Sequence, residues 1–126
     1  MMDAVSIQID ALDRLWPVLE PAADRAGTFG YDHVRDEIEA GRALIWPADD
    51  SAIVTSLQTL PDRRICLNAW LAGGRLEAVM SLLAEAETWA KRQGATIVHT
   101  DCREGFRKPL KAAGYSCLSA NFMKEL

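Results

Sequence analysis

The sequence of 126 residues predicts an α+β fold: an α/β sandwich with a mixed, mostly antiparallel sheet and one parallel β-α-β crossover. Two adjacent segments carry most of that expectation. Arg64 to Ala72 (R-I-C-L-N-A-W-L-A) has the β-branched and aromatic content of a strand, and it stops at Gly73-Gly74. From Leu76 the apolar period changes from two to about 3.6, with Leu76, Val79, Met80, Leu83, Ala86 and Ala90 on one helix face. A third observation fixes the topology. Ala95 to Thr100 (A-T-I-V-H-T) is a strand directly after that helix, and strand–helix–strand in one sheet implies a right-handed crossover to a parallel neighbour.

Taken from the start, Val5 to Ile9 (V-S-I-Q-I) alternates apolar and polar residues, the pattern of a short half-buried strand. Asp10 is placed to cap a helix on which Leu12, Leu15, Trp16 and Leu19 recur, and Pro17 and Pro21 are expected to kink or divide it. A short helix begins near Asp32, carries Val34 and Ile38, and ends at Gly41. Ala43 to Trp46 and Ser51 to Leu60 read as strands whose short link through Asp49-Asp50 makes them an antiparallel hairpin. Pro61-Asp62 turns the chain into the Arg64 strand, giving a three-strand meander. Lys91 and Arg92 suit the last turn of the long helix, and Gly94 suits the position after it. A short helix around Phe106 to Ala113, stopped by Gly114, and a final strand or hairpin over Tyr115 to Lys124 complete the order β-α-α-β-β-β-α-β-α-β.

Composition narrows the function classes. A chain of this length is expected to form one domain, and 49 % hydrophobic with 25 % charged residues supports an ordinary core. The net charge of −4 argues against a nucleic-acid partner, which would favour a basic face. No apolar run approaches the ~18–20 residues that span a bilayer, so no membrane partner is expected. The first residues lack the features of a signal peptide, and Cys66, Cys102 and Cys117 have no C-x-x-C spacing. Reduced thiols in a cytoplasmic setting follow as the expectation.

A strand that enters a helix through glycines presents unpaired backbone N–H groups beside a partial positive charge, a common cradle for phosphate. The plainer alternative is that Gly73 and Gly74 only let the chain turn. The order of elements, together with G-R-A-L-I-W (Gly41 to Trp46), A-W-L-A-G-G-R (Ala69 to Arg75), A-E-A-E-T-W-A (Ala84 to Ala90) and the tail R-E-G-F-R-K-P-L-K-A-A-G-Y through M-K-E-L, resembles the GNAT superfamily of N-acetyltransferases. It is most similar to the small GNAT-like proteins encoded by tailed phages and prophages. The resemblance implies that the strands flanking the crossover helix splay apart and that acetyl-coenzyme A enters the gap. It places pantetheine along Trp70, Leu71 and Ala72, and pyrophosphate at Gly73, Gly74, Arg75 and Leu76.

Departures from the family pattern are equally legible. The family loop usually reads Arg/Gln-x-x-Gly-x-Gly/Ala, whereas this chain has G-G-R. Where many members carry a basic Glu on the strand before the crossover, Asn68 is the polar residue; where many carry an acidic Tyr, the chain has Leu110. His99 and Asp101, at the end of the strand after the crossover, are candidate replacements: His99 to take a proton and Asp101 to orient it. The alternative is that His99 is a core or interface histidine bonded to backbone. Cys102 as a nucleophile, or zinc bound by Cys66, His99, Cys102 and Cys117, is asked for by no spacing, and no metal is expected. Arg103, Arg107 and Lys111 recur every four residues, either to meet a ligand phosphate or as a solvated face. Trp46 and Trp89 fit core positions, while Trp70 borders the expected gap.

The first functional reading is an acyl-CoA-binding protein acting as an N-acetyltransferase, with acetyl-CoA as co-substrate and an unidentified amine as acceptor. The alternative is a catalytically inactive phage or prophage accessory or virion-associated protein that uses the fold for protein–protein contact. A homodimer is compatible with either.

Overall fold

The computed structural model describes residues 3–101, 104–118 and 123–126. Helix α1 runs unbroken over Ala4–Ala26, with the Asp3 carboxylate accepting from the Ser6 N–H at 2.8 Å as its cap. The strand expected over Val5 to Ile9 is therefore helical, and Asp10 lies inside the helix and caps nothing. As a strand, Val5, Ile7 and Ile9 would share a face; as a helix, Ile9 alone joins the stripe Leu12, Leu15, Leu19 and Ala23, while Val5 and Ile7 stay 42 % and 56 % exposed. The longer stripe wins over the local alternation. Nor do Pro17 and Pro21 divide α1. Both are exposed and lie four residues apart, so the carbonyls they leave without a helical donor, on Asp13 and Pro17, lie on its outer side within reach of water.

Helix α2 (Tyr31–Glu39) buries Val34 and Ile38 against α1. Then β1 (Leu44–Pro47), β2 (Ala52–Thr59) and β3 (Ile65–Gly73) form the expected meander, closed by Ala48 N–H to Ser51 O at 2.8 Å and Leu60 N–H to Arg64 O at 2.8 Å. Helix α3 (Leu76–Arg92) crosses over to β4 (Ala95–Thr100), which pairs parallel with β3, so the sheet order is β1-β2-β3-β4. On α3, Val79, Leu82, Leu83, Ala86 and Ala90 are buried; Leu76, expected on that face, is 40 % exposed. A 3₁₀ turn (Glu104–Phe106) leads into the short helix α4 (Arg107–Ala112). Of the final strand expected over Tyr115 to Lys124, residues 115–118 and 123–124 form no regular element, and 119–122 lie outside the described residues.

The sheet is the middle layer of a sandwich. On one side α1 and α2 cover Ile45, Val54 and Leu71; on the other α3 and α4 cover Ile53, Leu67 and Ala69, with Leu110 of α4 in the same cluster. Leu12, Leu19 and Leu67 are fully buried, each contributing about 1.5–3 kcal/mol by leaving water. Trp46 and Trp89 occupy the core positions expected of them, edge to face at 5.7 Å, with the Trp46 indole N–H donating to Thr55 Oγ1 at 2.9 Å.

The outer edge of β1 is closed by a side chain. The Gln8 carboxamide donates to Ile45 O at 2.9 Å and accepts from Ile45 N–H at 2.7 Å. One residue of α1 thus supplies both bonds that a neighbouring strand would make there. Arg14 extends the attachment by donating to Asp49 O and Ala48 O at 2.9 and 3.1 Å.

Candidate functional site

The β3–β4 ladder runs from Ile65↔Ala95 to Ala69↔Thr100, yet β3 continues to Gly73. Thr100 ends the ladder with its own side chain, the hydroxyl donating to Ala69 O at 3.0 Å. Among the described residues nothing pairs with Trp70, Leu71, Ala72 or Gly73 on that side. On the opposite side β3 stays paired with β2, but the register slips by one residue between Val54↔Leu71 and Thr55↔Ala69. Trp70 is the extra residue of this bulge. Trp70 and Leu71 consequently both pack on the α1–α2 side, and Ala72 packs on the α3 side.

The open edge leads straight to the start of α3. The first bond of that helix runs from Val79 N–H to Arg75 O, so Leu76, Glu77 and Ala78 present amides without a helical partner. The Arg75 N–H is already taken, donating to Ser51 Oγ at 2.8 Å. Ser51, fully buried, also donates to Asp50 Oδ1 at 3.0 Å, and Asp50 Oδ2 accepts from Arg75 Nε at 2.8 Å. The Arg75 guanidinium, and then the Ser51 hydroxyl, hold the Asp50 carboxyl below its ordinary range. The available amides therefore sit beside the Arg75 cation and among the carboxylates of Asp50, Glu77 and Asp49, all three of which act on Arg75.

Both glycines have packing reasons for their identity. A Cβ on Gly73 would lie 1.9 Å from Val18 O of α1, and one on Gly74 would lie 2.2 Å from Ser51 Oγ and 2.6 Å from Asp50 O. Gly74 also has φ +106°, a conformation side chains disfavour. The diglycine is required by the contacts of α1 and of the β1–β2 turn, so substitution there tests folding before it tests ligand binding.

On the α1–α2 side, directly beside the ladder's end, lies a cleft of about 250 Å³ lined by His33, Glu37, Ser56, Gln58, Asn68 and Trp70. The Trp70 indole N–H donates to Ser56 Oγ at 2.9 Å, and its ring meets Phe29 at 5.4 Å and His33 at 5.9 Å. Sequence reasoning placed Trp70 at the gap and missed its partners, because His33 and Glu37 come from a helix more than thirty residues away in the chain. Their one signal was helical spacing, four residues apart on α2.

His99 is the register partner of Asn68, and partners side by side in a ladder leave the sheet on the same face. It is exposed, so it is not a core histidine. Asp101 is exposed beyond the end of β4, and no hydrogen bond joins it to His99 among the described residues. Arg103 and Cys102 lie outside the described residues; Arg107 and Lys111 are exposed on α4. Cys66 is fully buried, which pushes its thiol up, and Cys117 is exposed. Leu110 is a core residue, and the nearby Tyr115 hydroxyl donates to Glu87 Oε2 at 3.0 Å. Burial first, and Glu87 second, raise the Tyr115 hydroxyl above its ordinary range. Neither position offers a proton to the open edge. No described helix is long and apolar enough to cross a membrane.

No family model matches the sequence, and no curated protein does. Solved structures do match. A crystal structure described as that of a probable acetyltransferase superposes with a TM-score of 0.70 at 13 % identity, covering 94 % of each chain. An aminoglycoside acetyltransferase from an uncultured soil metagenomic sample, in complex with sisomicin, gives 0.61 at 10 % identity over 98 % of this chain and 90 % of the other. Glucosamine-6-phosphate N-acetyltransferase from Arabidopsis thaliana gives 0.57 at 12 % identity over 75 % of each. At such identities the likeness speaks for architecture: this chain has the fold of the GNAT acetyltransferases.

Proposed function

We propose that the protein binds acetyl-coenzyme A along the free edge of β3 and transfers the acetyl group to an amine. The observation that carries this reading is the early end of the β3–β4 ladder at Ala69↔Thr100, four residues before β3 itself ends beside the N-terminus of α3. The edge of Trp70, Leu71 and Ala72 would pair with the amides of pantetheine. The amides of Leu76, Glu77 and Ala78, with the Arg75 side chain, would receive the pyrophosphate. Gly73 and Gly74 bring strand and helix close enough for one ligand to span both. The bound thioester supplies an activated acetyl carbon: the acceptor nitrogen forms a C–N bond as the C–S bond breaks, and the proton lost from nitrogen balances the thiolate that leaves.

The chain's own part is positioning, exclusion of water and backbone polarisation of the carbonyl. Asn68 cannot take a proton, Leu110 carries none and the Tyr115 hydroxyl is engaged, so the imidazoles of His99 and of His33, which lines the cleft beside Trp70, are the groups near the ladder's end able to take one. Asp101 would act on His99 only through solvent or after a movement of the chain beyond Thr100. Arg103 and Arg107 remain candidates for the nucleotide phosphate by charge. Isothermal titration with acetyl-coenzyme A tests the reading. Saturable heat that falls at least about tenfold in affinity in Arg75→Glu supports it, since this exposed ion pair contributes little to folding. No heat at millimolar ligand overturns it.

A second reading has a specific observation behind it. With Leu110 buried and Tyr115 bound to Glu87, the usual proton donor is replaced by core packing. That favours a non-catalytic accessory or virion-associated interaction module of phage or prophage type. In that case acetyl-coenzyme A would bind weakly or not at all, and a partner protein or second copy would cover the β3 edge.

A further inference from the structure

We infer that the cleft between α2 and the β2–β3 face binds a small, hydroxyl-bearing primary amine. Its six lining residues include no aliphatic side chain. Ser56 Oγ accepts from Trp70 and keeps its own O–H to donate, and the Gln58 and Asn68 carboxamides have no protein partner among the described residues. Three groups able to bond ligand hydroxyls thus line one wall. Glu37 on the opposite wall is the only carboxylate there among the described residues, and it is kept ionised by Arg42, which donates to both its oxygens at 2.9 and 3.2 Å. A carboxylate oxygen accepts more than one bond, so the side away from Arg42 can take an ammonium. The Trp70 indole, braced by Phe29 and His33, provides a rigid aromatic edge.

Size and polarity select the ligand class. About 250 Å³ lies below the ~300–1,000 Å³ typical of drug-sized ligands, which restricts the occupant to one small ring or a short chain. An apolar amine of the same size would strip water from Ser56, Gln58 and Asn68 without replacing its bonds. Sites built to bond a hydroxyl reject analogues that lack it strongly, because the site's own groups are left unpaired. The cleft's polar walls therefore discriminate by hydroxyl content, and Glu37 discriminates by the amine. Asn68 pairs with His99 one residue before the ladder ends, so the occupant lies next to the open β3 edge. Its role as acetyl acceptor rests on the function proposed above; its binding does not.

The test uses the full chain and three probes: glucosamine, glucose and cyclohexylamine. Amide-resolved NMR follows the Trp70 indole N–H, identified by its loss in Trp70→Phe, and the side-chain amides of Gln58 and Asn68. Glucosamine is expected to shift all three saturably, with glucose and cyclohexylamine each weaker by roughly tenfold. Gln58→Ala, at an exposed site, and Glu37→Gln are each expected to weaken glucosamine by about fivefold. Shifts that do not saturate, equal response to cyclohexylamine, or unchanged binding in both variants overturn the assignment. Coenzyme A titrated separately keeps the two ideas apart. Glucosamine binding without coenzyme A binding upholds the cleft and removes acyl transfer; coenzyme A binding without glucosamine response removes the cleft alone.

Discussion

Gln8→Ala removes the side chain that closes the β1 edge, and its effect can be worked from the geometry. Two hydrogen bonds of 2.9 and 2.7 Å disappear, both to the backbone of Ile45, a residue 2 % exposed. A typical protein hydrogen bond contributes about 0.5–1.5 kcal/mol net, and a buried group left without a partner costs about 1–3 kcal/mol. Water entering the space of the lost amide holds the total near the lower figures, so roughly 1–3 kcal/mol of stability is at stake. The helix propensities of Gln and Ala differ by only a few tenths of a kcal/mol and offset little of this. Urea unfolding followed by circular dichroism reads it directly: with a slope of about 1–3 kcal/mol per molar, the midpoint should drop by roughly 1 M. Gln8→Glu sharpens the test. The carboxylate keeps an acceptor for Ile45 N–H but turns an oxygen toward Ile45 O, so at neutral pH it should destabilise more than Ala. Protonation restores a donor, so the deficit should shrink as pH falls. A Gln8→Ala midpoint equal to wild type, with no pH dependence in Gln8→Glu, would refute the view that a glutamine stands in for a strand.

Other substitutions probe the remaining elements. Gly73→Ala forces a methyl against Val18 O of α1 and should destabilise by about 1–3 kcal/mol or more, read as a lower urea midpoint; an unchanged midpoint would refute the idea that close approach of α1 requires glycine there. Tyr115→Phe tests the bond to Glu87. Because the folded protein holds the Tyr115 proton more tightly than the unfolded chain, wild type binds more protons when folded above about pH 10, and its stability should fall there as pH rises. That decline should be shallower in Tyr115→Phe, and parallel profiles would contradict the assignment. Asp50→Asn removes a carboxylate beside the α3 amides, and under the proposed function should tighten coenzyme A about two- to fivefold by calorimetry; weaker binding would mean that Asp50 holds Arg75 in a productive position.

Much of this architecture was legible because its signals are local. The period change at Leu76, the turns at Asp49-Asp50 and Pro61-Asp62, and the apolar run from Ala95 each depend on neighbours in sequence, and all produced the expected elements. The failures have different causes. Val5, Ile7 and Ile9 alternate like a strand, but the leucine stripe that begins three residues on at Leu12, together with the Asp3 cap, extends the helix back over them. Pro17 and Pro21 look disruptive until their solvent side is known. The resemblance implied that the strands flanking α3 splay apart; in the fold β4 ends at Thr100 while β3 runs on, and the two features found there, the Thr100 hydroxyl bond to Ala69 and the bulge at Trp70, have no sequence signature. The polar cleft was illegible for the same reason, since α2 meets β2 and β3 only in the folded chain.

The bulge at Trp70 makes the strand's length a matter of parity. Before it, odd-numbered residues such as Leu67 and Ala69 look toward α3; after it, Leu71 looks the other way and the even-numbered Ala72 takes over. Removing Trp70 would make the pairs Thr55↔Ala69 and Val54↔Leu71 consecutive and restore simple alternation, with Leu71 and Ala72 still addressing the helices they address now; adding one further residue there would instead exchange them. That added residue would also move Ala72 into the slim neck that Gly73 now occupies, setting its methyl against the backbone of α1.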